Sequence, residues 1–106
     1  MASRKLGLLL STPPSHPSVE TVVQLAQAAL RRGVEVYLYL IDEGVKTVTD
    51  QRYLRLIDVG AKMSVCAYGC QQYGVLTTTV DSRVSLSGLV VLSGIIDGCD
   101  RFLAFT

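Results

Sequence analysis

The stretch that most limits what this chain can fold into is Val34–Ile41, V-E-V-Y-L-Y-L-I. Its β-branched and aromatic residues suit a strand better than a helix. Only Glu35 interrupts the apolar character, so neither face of the strand is meant for water. A strand covered on both faces belongs to a parallel sheet with helices above and below. The flanking segments agree. Lys5–Ser11 is short, apolar and ended by Thr12-Pro13-Pro14, which predicts a buried strand followed by a loop. Between the two strands, about Ser18 to Arg32, Val19, Val22, Val23, Ala26 and Leu30 recur at the spacing of one helical face. Glu20 near the start and Arg31-Arg32 at the end match the helix dipole, and Gly33 supplies a left-handed stop.

Downstream the same alternation continues. Asp42-Glu43-Gly44-Val45 predicts an exit loop, and Thr49 is the expected cap of a helix through about Val59. Tyr53, Leu56 and Ile57 face inward on that helix, and Gly60 ends it. Lys62–Cys66 predicts a third strand, and Ala67–Tyr73 a helix of two turns at most, closed by Gly74. Val75–Val84 is Thr-rich and reads either as an extended piece or as an ordered loop. Ser85 or Ser87 then caps a last helix through about Ile96, and Arg101–Phe105 closes the chain as a strand. A length of 106 residues allows a single domain, 1–106. The predicted fold class is therefore α/β: a single-domain three-layer α/β/α arrangement with a mostly parallel sheet of four to five strands, flavodoxin- or Rossmann-like.

Composition bounds the partners. With 49% apolar residues, 18% charged and a mean hydropathy of +0.38, little charge is left to cover the surface, which predicts a subunit interface. A net charge of +1, with no basic cluster beyond Arg31-Arg32, points away from nucleic acid. The longest apolar runs are too short to span a bilayer, and Leu6–Leu10 is too short for a secretory leader. Three cysteines make an odd number in no disulfide-framework spacing, so a cytoplasmic chain with reduced thiols is expected.

Chemistry in such folds gathers at the carboxyl ends of the strands. The expected rim comprises the loop Ser11–Ser18 with His16, the turn with Asp42 and Glu43, and the junction at Cys66. A cysteine where a strand stops and a helix begins has backbone N–H groups at hand to steady a thiolate, whereas buried cysteine elsewhere is usually inert packing. Cys70 lies four residues on. On one intact helix the two Cβ atoms would be about 5–6 Å apart, against about 3.8 Å in a disulfide. Direct bridging would thus need local distortion. Cys99 reads as structural. Two cysteines and one histidine do not make a zinc set within one chain, and no dinucleotide or phosphate loop is present, so neither metal nor cofactor is expected.

Taken together, Gly60–Val75 (G-A-K-M-S-V-C-A-Y-G-C-Q-Q-Y-G-V), Ser85–Gly88 (S-L-S-G), Cys99-Asp100-Arg101-Phe102 and Asp42–Val45 (D-E-G-V) resemble, in order and spacing, the DsrE/TusD group of small sulfur-relay proteins. The resemblance implies an α/β fold and assembly into trimers or hexamers. It also implies a cysteine at the end of the third strand that accepts persulfide sulfur and passes it on, as a sulfurtransferase-like carrier. That position is Cys66; Cys70 is a further candidate outside the family pattern. The implied partners are sulfur donor and acceptor proteins, TusA-like or rhodanese-like. A thiol redox sensor using Cys66 and Cys70, or a non-catalytic interaction subunit, are the rival readings.

Overall fold

The computed structural model describes residues 3–106. Its strands are β1 (Lys5–Leu10), β2 (Glu35–Leu40), β3 (Lys62–Cys66), β4 (Ser85–Ser87) and β5 (Arg101–Phe105). They form one sheet in the order β4-β3-β2-β1-β5, and every neighbouring pair is parallel. Helices α1 (Ser18–Arg31), α2 (Gln51–Asp58), α3 (Ala67–Gln72) and α4 (Leu89–Gly98) connect them. The chain steps outward from β1 to β4, and α4 then carries it back to the far side of β1. With right-handed crossovers, that reversal places α4 on the face opposite α1 and α2.

Pleat alternation sorts the strand residues between the two faces. Leu8, Leu10, Val36, Leu38, Leu40, Met63 and Val65 share one face and are buried. Val19, Val22, Val23 and Ala26 of α1, with Tyr53 and Leu56 of α2, complete that core. Each fully buried side chain of this size contributes roughly 1.5–3 kcal/mol relative to exposure. The Tyr53 hydroxyl donates to the Val19 carbonyl at 2.9 Å, tying α2 to the first turn of α1. The other face carries Gly7, Tyr37, Tyr39, Ser64, Cys66 and Ser87. Here α4 sits close: a Cβ on Gly7 would lie 2.7 Å from Phe102 Cδ1 and 3.1 Å from Ile95 Cγ2. Yet no residue of α4 is buried, and Leu89, Val90, Val91 and Ile96 are exposed.

The expected strands, α1 and the stops at Gly33 and Gly60, both at positive φ, are present. Three local expectations are corrected. Ser85–Ser87 is a strand and not a helix cap; Gly88 begins α4 with no side-chain cap. Nothing in three mostly polar residues asks for a strand, and pairing of their backbone with Ser64–Cys66 makes one. Thr49 does not cap α2. Asp50 does, accepting from the Arg52 N–H at 2.8 Å, because its carboxylate also holds the Arg52 guanidinium at 2.8 Å. Finally, Asp42–Thr49 is a 3-10 helix and not an open loop. It lies against the end of β1 at Gly44, where a Cβ would overlap the Leu10 carbonyl oxygen and fall 2.7 Å from its carbon. Thr47 Oγ1 donates to the Gly44 carbonyl at 2.7 Å and closes the turn. Between α3 and β4 the chain is an ordered loop with a single 3-10 turn, Thr77–Thr79.

Candidate functional site

Cys66 is the last residue of β3 and caps α3 with its own sulfur. Its backbone stays extended (φ −67°, ψ 115°), which turns the side chain back over the first helical turn. The Gly69 N–H donates to Cys66 Sγ at 3.3 Å. Gly69 has to be small there, since a Cβ would stand 2.9 Å from Val45 Cγ1 and 3.5 Å from Cys66 Cβ. Cys66 as a residue is 8% exposed. It opens into a cavity of about 420 Å³ lined by Ile41, Asp42, Tyr68, Ser87 and Leu89, among others. Tyr68 and Leu89, at 70% and 65% exposed, give the cavity a broad apolar mouth.

Three strand ends build this cavity: β2 through Ile41 and Asp42, β3 through Cys66, and β4 with the start of α4 through Ser87 and Leu89. Asp42 adopts φ 52°, a left-handed conformation that Asp tolerates better than most residues, and it swings the 3-10 helix across the rim. In register, Cys66 faces Ser87 and Tyr39 faces Ser64, so all four side chains share one face of the sheet. The Tyr39 hydroxyl donates to the Ser87 carbonyl at 3.5 Å. Burial, and then the Cys66 sulfur beside it, push the Tyr39 phenol above its ordinary pKa.

The other candidate residues are scattered. Cys70 lies inside α3, fully buried, and its thiol is pushed up first by burial and then by Cys66. The described cysteines are all free. Cys99 lines a separate cavity of about 250 Å³ with Lys5, Tyr37 and Ile95. His16 stays out on its loop, where Nδ1 accepts from the Ser18 N–H at 3.1 Å and helps start α1. Glu43 pairs with Lys46 at 3.5 Å, leaving Asp42 as the acidic residue on the cavity wall. Among the described residues, no three His, Cys, Asp or Glu side chains cluster as a metal set, and no helix is long and apolar enough to cross a membrane.

Neither Tyr39 nor Ser87 is among the site residues expected from the sequence. Tyr39 looked like one more apolar strand residue, and Ser87 like a helix cap. Only period-two alternation from Cys66 across correctly aligned strands would have drawn them together.

Residues 4–105 match the model of the DsrE/DsrF-like family. The fold is shared with three solved structures. One is the YchN protein of E. coli, 15% identical over 98% of this chain and 100% of that one, with a TM-score of 0.81. A conserved protein of unknown function from Bacteroides thetaiotaomicron is 17% identical over 95% and 94%, at 0.78. A protein of unknown function from Methanobacterium thermoautotrophicum is 13% identical over 98% and 100%, at 0.76. Identities this low speak to the fold alone. No curated protein matches the chain.

Proposed function

The chain belongs to the DsrE/DsrF-like family, and on that premise we propose that it is a sulfur-relay protein that carries persulfide sulfur on Cys66. The observation that carries this reading is the placement of Cys66. Its sulfur accepts one backbone N–H, and the residue, buried at the edge of the core, lines a cavity with an apolar mouth. Cys70 contrasts with it in place: it is fully buried inside α3, where burial pushes its thiol up.

The transfer balances as two displacements. The Cys66 thiolate attacks the outer sulfur of a donor persulfide, R–S–SH. The donor S–S bond breaks, R–S⁻ leaves, and Cys66–S–SH forms. Between transfers it rests as Cys66–S–S⁻ by losing a proton to solvent; once reprotonated, its terminal sulfur is attacked by a partner's thiolate, the Cys66 S–S bond breaks, and the Cys66 thiolate is returned as the partner's persulfide leaves. No net oxidation occurs at either step. The apolar mouth formed by Tyr68 and Leu89 supports docking of another protein's cysteine-bearing segment.

Assembly with further copies, as a homotrimer or hexamer, belongs to the same proposal. The exposed apolar residues of α4, Leu89, Val90, Val91 and Ile96, support it.

Intact mass spectrometry after incubation with a persulfide donor tests the relay. The native chain should gain about 32 Da, one sulfur atom. The gain should survive Cys70→Ser and vanish in Cys66→Ser. Equal labelling of all three cysteines would sink the proposal, and a loss of about 2 Da through a Cys66–Cys70 disulfide would favour the redox-sensor reading instead.

A further inference from the structure

Two hydroxyls share the sheet face of Cys66, one with no hydrogen-bond partner and one with a long bond. Ser87 Oγ is buried and has no partner. It belongs to the residue directly opposite Cys66 in the β3–β4 ladder, and that residue lines the same cavity. Tyr39 is fully buried; its hydroxyl lies beside the Ser87 and Cys66 side chains and donates to the Ser87 carbonyl at 3.5 Å. That is well beyond the roughly 2.5–3.0 Å of a full-strength O–H···O bond. Buried hydroxyls are normally satisfied, so the unpartnered Ser87 Oγ in the cavity wall, with the weakly held Tyr39 hydroxyl behind it, leaves donors free for a ligand.

We propose that Tyr39 and Ser87 form a subsite for the sulfur carried on Cys66, Tyr39 donating to the cysteine sulfur and Ser87 to the added terminal sulfur. This rests on the relay reading and deepens it. In a mostly apolar cavity a persulfide anion needs donors to replace water. The Gly69 N–H already reaches Sγ from the helix side; the two hydroxyls approach from the sheet side. The raised pKa of Tyr39 fits the assignment, because a phenol held neutral by burial remains a donor and gives up no proton. The subsite therefore selects an anionic terminal sulfur over an uncharged alkyl group attached at the same place.

The test uses the full chain loaded with sodium tetrasulfide, freed of reagent and followed by intact mass. Tyr39→Phe keeps the ring and removes the hydroxyl; Ser87→Ala removes the other. Each should shorten the lifetime of the Cys66 persulfide about tenfold, the worth of one hydrogen bond to a charged group. In Ser87→Ala, whose lost hydroxyl is assigned to the added sulfur alone, alkylation of the unloaded thiol by iodoacetamide should stay within about twofold of native. Native-like persulfide lifetimes in both variants would overturn the inference while leaving the relay standing. Faster alkylation with a lowered melting temperature would overturn it too, by showing that the residues only keep the site closed. A native chain that takes up no sulfur would remove the relay and the subsite together.

Discussion

Replacing Gly69 with alanine sets two effects of known size against each other. Gly69 lies within α3, and alanine there gains about 1 kcal/mol in helix propensity. Against this, the added methyl would stand 2.9 Å from Val45 Cγ1. Val45 is fully buried and belongs to the 3-10 helix that crosses the rim, so it has no open space to retreat into. Overpacking of this kind costs roughly 1–3 kcal/mol. The steric cost wins, and Gly69→Ala should destabilise the chain by about 1 kcal/mol, lowering the melting temperature by about 4–8 °C. Val45→Ala alone should cost about 2 kcal/mol for the lost methyls and the cavity they leave. In the double variant the new methyl occupies part of that cavity. The double should then be more stable than the two separate losses predict, by about 1 kcal/mol. Urea unfolding of the four proteins measures the cycle. A stabilised Gly69→Ala, or strict additivity in the double, would refute the packing argument. It would also remove the reason why the N–H that touches Cys66 belongs to a glycine.

Gly44→Ala should be worse than Gly69→Ala, since its Cβ meets the backbone of Leu10, which no rotamer change relieves. A loss of about 3–5 kcal/mol in chemical denaturation, from overpacking plus the strained Ile41-to-Leu10 and Thr47-to-Gly44 hydrogen bonds, is expected. Val90, 87% exposed on α4, should be neutral to replace in a monomer. In the proposed assembly, Val90→Asp should shift light scattering toward the monomer mass, and an unchanged native monomer would contradict the interface. Raised folded-state pKa values at Cys70, Tyr39 and Tyr53, each caused chiefly by burial, set the alkaline limit. Their stabilisation is complete below the unfolded thiol and phenol values of about 9 and 10 and is lost as pH rises through the folded ones. The melting temperature should therefore fall above about pH 9, and Cys70→Ala should flatten the first part of that fall.

The elements legible from the chain are those whose physics is local. Val34–Ile41 announced a strand covered on both faces, and Val19, Val22, Val23 and Ala26 announced the face that covers it, because apolar periodicity and burial are two descriptions of one preference. Cys66 was equally visible: the end of an apolar strand followed by a short turn can be read without neighbours. What lay beyond the sequence depended on who pairs with whom. Ser85–Ser87 became a strand only because β3 offered a free edge. That pairing brought an unsatisfied hydroxyl opposite Cys66, and alignment of β2 with β3 placed the Tyr39 phenol on the same face. Asp42–Thr49 coiled into a 3-10 helix because Gly44 allows it to touch the end of β1. Sequence by itself determined the layers and the sulfur; the tertiary structure decided what surrounds that sulfur, since strand order and register are set by contacts between segments far apart along the chain.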